Sequence, residues 1–196
     1  MRNDSLAHTE QGRQLLKYMV KCALAEADSV FVNVDGVKHV FPGKLGWVPD
    51  WVDRSMTDVE KRKLSACMAA HTNFFKKTVQ ISLRSDDPVA PEGFRTTAAE
   101  REKFPFFEGG FFGNYFVEHP VSYVCLGDLT PERNQHLEHL YRVCTVENSN
   151  ARGFSHCRFK IVGKCSDKPF TQGGIDYSRE VLWVYLPAAS TDRGSE

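Results

Sequence analysis

Neither sign of charge predominates in this chain. Its 25 Lys and Arg residues are matched by 25 Asp and Glu residues over 196 positions. With no basic stripe, nucleic acid and anionic membrane surfaces are not expected partners. Long apolar runs are missing as well. The best candidate, Leu15–Leu24, is interrupted by Lys17 and Lys21 and falls short of the roughly 18 apolar residues that span a bilayer. There is no internal repeat, no low-complexity tract and no Cys-x-x-Cys pair of the kind that builds zinc ribbons or thioredoxin-like redox sites. Gly-x-Ser-x-Gly, Walker and dinucleotide-binding glycine patterns are absent too. The glycine-rich Gly109-Gly-Phe-Phe-Gly113 is too aromatic for a phosphate cradle and precedes no clear helix. No motif therefore names a reaction.

What the chain does carry is aromatic residues, concentrated in one stretch. Phe104–Phe116 holds six of the fourteen phenylalanines, with three glycines and a single acid, Glu108. Such a stretch fills a core or lines a concave site, and its glycines allow a turn or a close approach. A carboxyl among Phe106, Phe107, Phe111 and Phe112 is desolvated if it points inward. Its pKa then rises, which suits a general acid. A glycoside-hydrolase reading needs a second carboxylate roughly 5–10 Å away, for which Asp128, Glu118 and Asp50 are candidates. The alternative is that Glu108 accepts from backbone amides across a Gly109-Gly110 turn and fixes a loop. Trp47 and Trp51 could join Phe107, Phe111, Phe112, Asn114 and Tyr115 in an aromatic-walled groove for a glycan, peptide or protein partner, or the same rings could simply form core.

Local patterns predict the elements around this stretch. Leu15, Met19, Cys22 and Ala23 share one face of a helix over Thr9–Ala27. Val30–Phe41 alternates on either side of Asp35-Gly36, the signature of a two-residue hairpin. Thr57-Asp-Val-Glu60 is a capping box for a helix whose apolar face runs Leu64, Cys67, Met68, His71 and Phe75. Thr78–Leu83 is an expected strand, followed by a loop over Ser85–Arg95. Thr97-Ala-Ala-Glu100 opens a short helix that ends before Pro105. Val121–Cys125 is a strand, Thr130-Pro131 starts a helix running to about Tyr141, and Cys157–Val162 and Val181–Leu186 are further strands. A hairpin, separate strands and non-alternating helices favour a single α+β domain over residues 9–187, with two or three helices on a mostly antiparallel sheet. Residues 1–8 and 188–196 are expected to be flexible.

Six cysteines stand at 22, 67, 125, 144, 157 and 165. Either they are free thiols of a cytoplasmic protein, some buried as small hydrophobes, or they pair as disulfides in an exported one. Met1-Arg-Asn-Asp leads into polar sequence, as it would where a leader had been removed. Cys22 and Cys67 lie mid-helix on two apolar faces and could meet. The other four allow three pairings. A zinc site from these thiols with His156 has no standard spacing. His136 and His139 share one helix face with no third ligand in view, beside the buried-looking Leu137 and Leu140. His71, on an apolar face, is either a core residue satisfied by one hydrogen bond or an acid/base group. No metal or other cofactor is expected.

Leu15–Leu24, Phe41–Gly46, Leu64–Cys67 leading to His71-Thr-Asn73, Ile81–Arg84 and Glu108–Asn114 together resemble a group of uncharacterised, predicted exported bacterial proteins. The resemblance covers most of the first 125 residues and implies an exported location and disulfides, but no chemistry. The expectation is thus a disulfide-stabilised extracytoplasmic domain, secreted, periplasmic or at the cell surface, that binds a glycan, peptide or protein partner through its aromatic region. The alternatives are a glycan- or cell-wall-directed hydrolase using Glu108, with His71 or Asp128, and a cytosolic thiol or zinc protein.

Overall fold

The structure is a computed structural model, and it describes residues 4–128 and 130–188. The first helices are α1 (Asp4–Ala7) and α2 (Glu10–Ala23). Residues 4–7 form a helical turn that buries Ala7. The other expected tail positions, 1–3 and 189–196, lie outside the described residues. Thr9 caps α2 by accepting from the Gly12 backbone N–H at 3.0 Å. The helix stops at Ala23, earlier than its periodicity predicts. Leu24 leaves the helical region, and its carbonyl accepts from Lys44 and Gly46 of the following loop.

Strands β1 (Ser29–Val34) and β2 (Val37–Pro42) form the expected hairpin, with Asp35 and Gly36 both at positive φ as a type I′ turn requires. Helix α3 (Asp58–His71) starts at the predicted box, in which Thr57 and Glu60 cap each other reciprocally. It ends at His71, so Phe75 lies beyond the helix and outside its apolar face. Strand β3 (Ser82–Arg84) covers only the last part of the expected Thr78–Leu83 strand. Helix α4 (Ala98–Lys103) precedes β4 (Phe106–Asn114), and β5 (Val121–Leu126) follows it. Helix α5 (Pro131–His139) is succeeded by β6 (Lys160–Lys164), the small hairpin of β7 (Thr171–Gln172) and β8 (Ile175–Asp176), and β9 (Leu182–Leu186).

The main sheet has the order β3-β9-β4-β5-β6, antiparallel except for the β5–β6 pair. This is a single α+β arrangement, with α3 lying across β4 and α2 packed on α3. The Phe-rich stretch is therefore the central strand of the sheet, and the expected turn at Gly109-Gly110 does not exist. The two glycines are there because neighbours sit where a Cβ would go. A Cβ on Gly109 would fall 2.5 Å from the Cys125 carbonyl oxygen. One on Gly110 would fall 2.7 Å from the Trp183 ring and 2.8 Å from Cys125 Sγ.

A two-faced central strand needs two cores. Phe111, Val124, Val184 and Leu182 belong to the main one beneath α3, whereas Phe112, Cys125, Tyr177 and Val181 make a second on the other face. All six cysteines are paired, as Cys22–Cys67, Cys125–Cys165 and Cys144–Cys157. The first staples α2 to α3, the second ties β5 to the turn after β6, and the third closes the loop after α5. Stable disulfides of this number belong to an oxidising, extracytoplasmic environment. Among the described residues, no helix is long and apolar enough to cross a membrane.

Candidate functional site

Glu108 occupies a β-bulge. Phe107 pairs with Tyr185 and Gly109 with Val184, so Glu108 has no counterpart on β9. A bulge redirects its side chain, and this one sends the carboxylate into the core, where it is fully buried. Arg142 Nε donates to Glu108 Oε2 at 3.0 Å, while its Nη1 and Nη2 donate to the Thr72 and Ala70 carbonyls at 2.9 and 3.0 Å. Arg142 thus closes the carbonyl end of α3, where a cation is favoured by the exposed peptide dipoles. From the other side Arg133 donates to the Glu108 backbone carbonyl at 2.7 Å and to Thr145 Oγ1 at 3.0 Å. Burial pushes the Glu108 carboxyl up, against the pull of Arg142 and Arg133.

This differs from both expectations for Glu108. It neither bonds amides across a turn nor faces a pocket; it is a charged core residue joining the sheet to two arginines. Asp128 is exposed while Glu108 is enclosed, so the two do not make an acid pair open to one substrate.

The expected aromatic groove is not assembled either. Trp47 is buried against Phe94, with ring centroids 4.8 Å apart, and Trp51 is half-buried in a short 3-10 turn. Phe111 and Phe112 are wholly buried on opposite faces of the sheet. Phe107 packs on Trp183 and Tyr185 in the second core. Asn114 is buried, with Oδ1 accepting from the Phe116 backbone, and the Tyr115 backbone donates to Ser65 Oγ. These residues fill cores because strand alternation sends neighbouring rings to different sides. The zinc reading of the later thiols with His156 also goes, since every cysteine is bridged. His136 packs on Phe106, with ring centroids 4.2 Å apart.

His71 is a sequence candidate that borders an open cleft. The cleft, about 440 Å³, runs between the C-terminal part of α2, the Lys44–Leu45 loop, α4 and the segment leading into β3. A smaller recess of about 80 Å³ continues it toward Tyr18, Asn73 and Arg142. Lys21, Lys44 and Lys103 line the cleft and Lys77 the recess. The single acid, Glu100, already accepts from Ser82 Oγ.

The electrostatics follow from this lining. Partial burial, then Lys44 and Lys17, lower the Lys21 pKa. Burial takes His71 down to about 4, with Lys21, Arg142 and Lys44 adding to the effect and the Cys67 carbonyl opposing it. At neutral pH the imidazole is therefore uncharged. Its Nδ1 donates to the Cys67 carbonyl at 2.9 Å and lies 3.7 and 3.9 Å from the two sulfurs of the Cys22–Cys67 bridge. That bond fixes the tautomer and leaves Nε2 as an acceptor.

Two further features were missed by sequence reasoning. Thr78, Val79, Gln80 and Ile81 line the cleft and exchange no backbone hydrogen bond with any described residue. They lead into β3, an edge strand with no paired strand on its outer side among the described residues. Next to the recess, Phe74, Phe75 and Tyr141 stand 53, 43 and 49% exposed in an edge-to-face ridge, with centroids 5.2 and 5.6 Å apart. Asn73 Nδ2 ties the ridge together by donating to the Tyr141 carbonyl at 2.9 Å. Lys76 and Tyr141 both hold left-handed backbone, φ 55° and 57°, a conformation that costs non-glycine residues energy and collects at functional loops. The signal available beforehand was a strand-like Thr78–Leu83 with no obvious partner, beside lysines spaced along α2.

No family model, no curated protein and no solved structure matches the chain.

Proposed function

We propose that the protein is a disulfide-stapled domain, secreted, periplasmic or held at the cell surface, that binds an extended acidic peptide segment of a partner protein. The observation that carries this reading is the unbonded backbone of Thr78–Ile81 inside a lysine-lined cleft. Free N–H and C=O groups on the edge of a sheet are a template for one more strand, with main-chain bonds giving affinity and side-chain pockets giving specificity. Lys21, Lys44, Lys77 and Lys103 select acidic residues, and the Phe74–Phe75–Tyr141 ridge offers flat apolar faces to residues leaving the cleft.

Exposed rings would also suit a glycan. Backbone that bonds no described residue favours a peptide over a sugar. The hydrolase reading has no such support. A general acid must reach the reacting bond, and the Glu108 carboxylate is shut behind Arg142.

Gln80→Pro tests the reading, because it removes a main-chain donor that bonds no described residue. Affinity for acidic peptides, read by fluorescence anisotropy, should fall at least about tenfold with the melting temperature unchanged. Undiminished affinity in that variant would remove strand addition. Binding should also weaken as salt is raised, as expected of exposed charges.

A further inference from the structure

The recess at the inner end of the cleft is small, about 80 Å³. That is room for a compact charged group, since about 10–15 Å³ of such space holds one water. Tyr18, Lys21, His71, Asn73, Lys77 and Arg142 border it, and no Asp or Glu does. Burial, then the nearby Lys44 and Lys17, lowers Lys21, and burial, then Lys21, Arg142 and Lys44, disfavours the His71 imidazolium. Asn73 has no acceptor to offer, because Oδ1 already takes the Phe75 and Lys77 backbone N–H groups. Arg142 Nη1 has one N–H committed, to the Thr72 carbonyl, and a second to give. Beside these cations stands an acceptor, Nε2 of His71, whose tautomer is set by the Cys67 carbonyl.

We infer that this recess receives the C-terminal carboxylate of the bound peptide, so that the ligand is a chain terminus. The inference rests on the strand-addition reading above. The carboxylate meets Lys21, Lys77 and Arg142. The amide N–H of the terminal residue meets His71 Nε2, and the preceding residues run out along Thr78–Leu83. A chain terminus supplies an anion and an N–H within one residue of each other, followed by backbone in continuous register. Sulfate or phosphate supplies the anion and no backbone. An internal Asp or Glu supplies the anion on a flexible stem, with no N–H at a fixed spacing from it. Charge-assisted bonds of this kind are roughly twice as strong as neutral ones.

The test uses the oxidised full chain and two libraries of short acidic peptides, identical except that one ends in a free carboxylate and the other in a carboxamide. Selected sequences are then titrated in both forms. The free acid should bind at least about tenfold tighter. Lys77→Met, at an exposed position, should remove most of that preference by weakening the free acid far more than the carboxamide form. Equal affinity of acid and amide overturns the chain-terminus inference and leaves strand addition standing. A preference that survives intact in both Lys77→Met and Lys21→Met also overturns it. Absence of binding by either library removes the strand-addition reading, and this inference with it.

Discussion

Arg142 donates to Glu108 at 3.0 Å from a position where it also closes the last carbonyls of α3. One guanidinium thus joins the bulge of the central strand to the end of the helix that covers it. Because the pair is enclosed, removing either member leaves the other without its compensation.

Arg142→Met should therefore cost about 3–5 kcal/mol, the usual penalty for stranding one member of a buried ion pair. It also strips the Ala70 and Thr72 carbonyls. Glu108→Gln keeps the shape and one acceptor, and should cost less, about 1–3 kcal/mol. Urea titrations of the two variants give the order. A Glu108→Gln protein that folds normally yet loses peptide binding would show that the pair acts on the cleft as well as on the core.

The disulfides should differ in what they contribute. Cys22–Cys67 spans 45 positions and Cys144–Cys157 spans 13. In the chain-entropy picture these correspond to about 4 and about 3 kcal/mol. The Cys22→Ala/Cys67→Ala double variant should thus melt below the Cys144→Ala/Cys157→Ala one, and the former also loosens the α2–α3 wall of the cleft. Differential scanning calorimetry on oxidised samples decides it. Thiol counting on the denatured, unreduced wild type should find no free cysteine.

Much of the fold was legible because its signals are local. Asp35-Gly36 dictates a tight turn, Thr57 and Glu60 cap a helix, and Cys22 and Cys67 stood on two apolar faces. Glu108 was conspicuous for a sound reason, a carboxyl among rings, but its partner lies 34 residues away and no local pattern points to Arg142. Phe104–Phe116 was misread because three glycines suggest a turn. Here two of them make room for Cys125 and Trp183, which is a tertiary fact. The cleft was hidden for the same reason: Lys21, Lys44, Lys77 and Lys103 converge only once α2, two loops and α4 are folded.

The two sorts of aromatic residue should separate cleanly on mutation. Phe111 is wholly buried, so Phe111→Ala should cost about 3–5 kcal/mol. Gly110→Ala should also destabilise, since its methyl would meet Trp183 and Cys125 Sγ below 3 Å in an interior with no slack. Phe74→Ala and Tyr141→Ala, at exposed positions, should shift stability by no more than about 0.5 kcal/mol. They should weaken peptide binding instead. Parallel chemical denaturation and anisotropy on the four variants check both halves.

His71 sets a pH dependence whose sign is fixed by its surroundings. Burial and the nearby cations hold its folded pKa at about 4, below the ordinary histidine value of 6.5. The unfolded chain therefore binds the proton first as pH falls. Stability from this group is fully present above about pH 6.5 and is lost progressively down to about pH 4, amounting to about 3 kcal/mol at about 1.4 kcal/mol per unit. Glu108 acts in the opposite sense. Its raised pKa favours the folded form at low pH and withdraws that help as pH rises through the folded value. His71→Gln removes the first effect and leaves the second. The mutant's stability should thus fall less steeply than that of the wild type between pH 6.5 and 4, a difference that urea midpoints across the range will display. The ligand N–H donates to Nε2 of the neutral imidazole, so ligand should depress the folded His71 pKa further and extend the wild-type loss to lower pH. Ligand present in excess over the same series provides the check, and His71→Gln should show no such displacement.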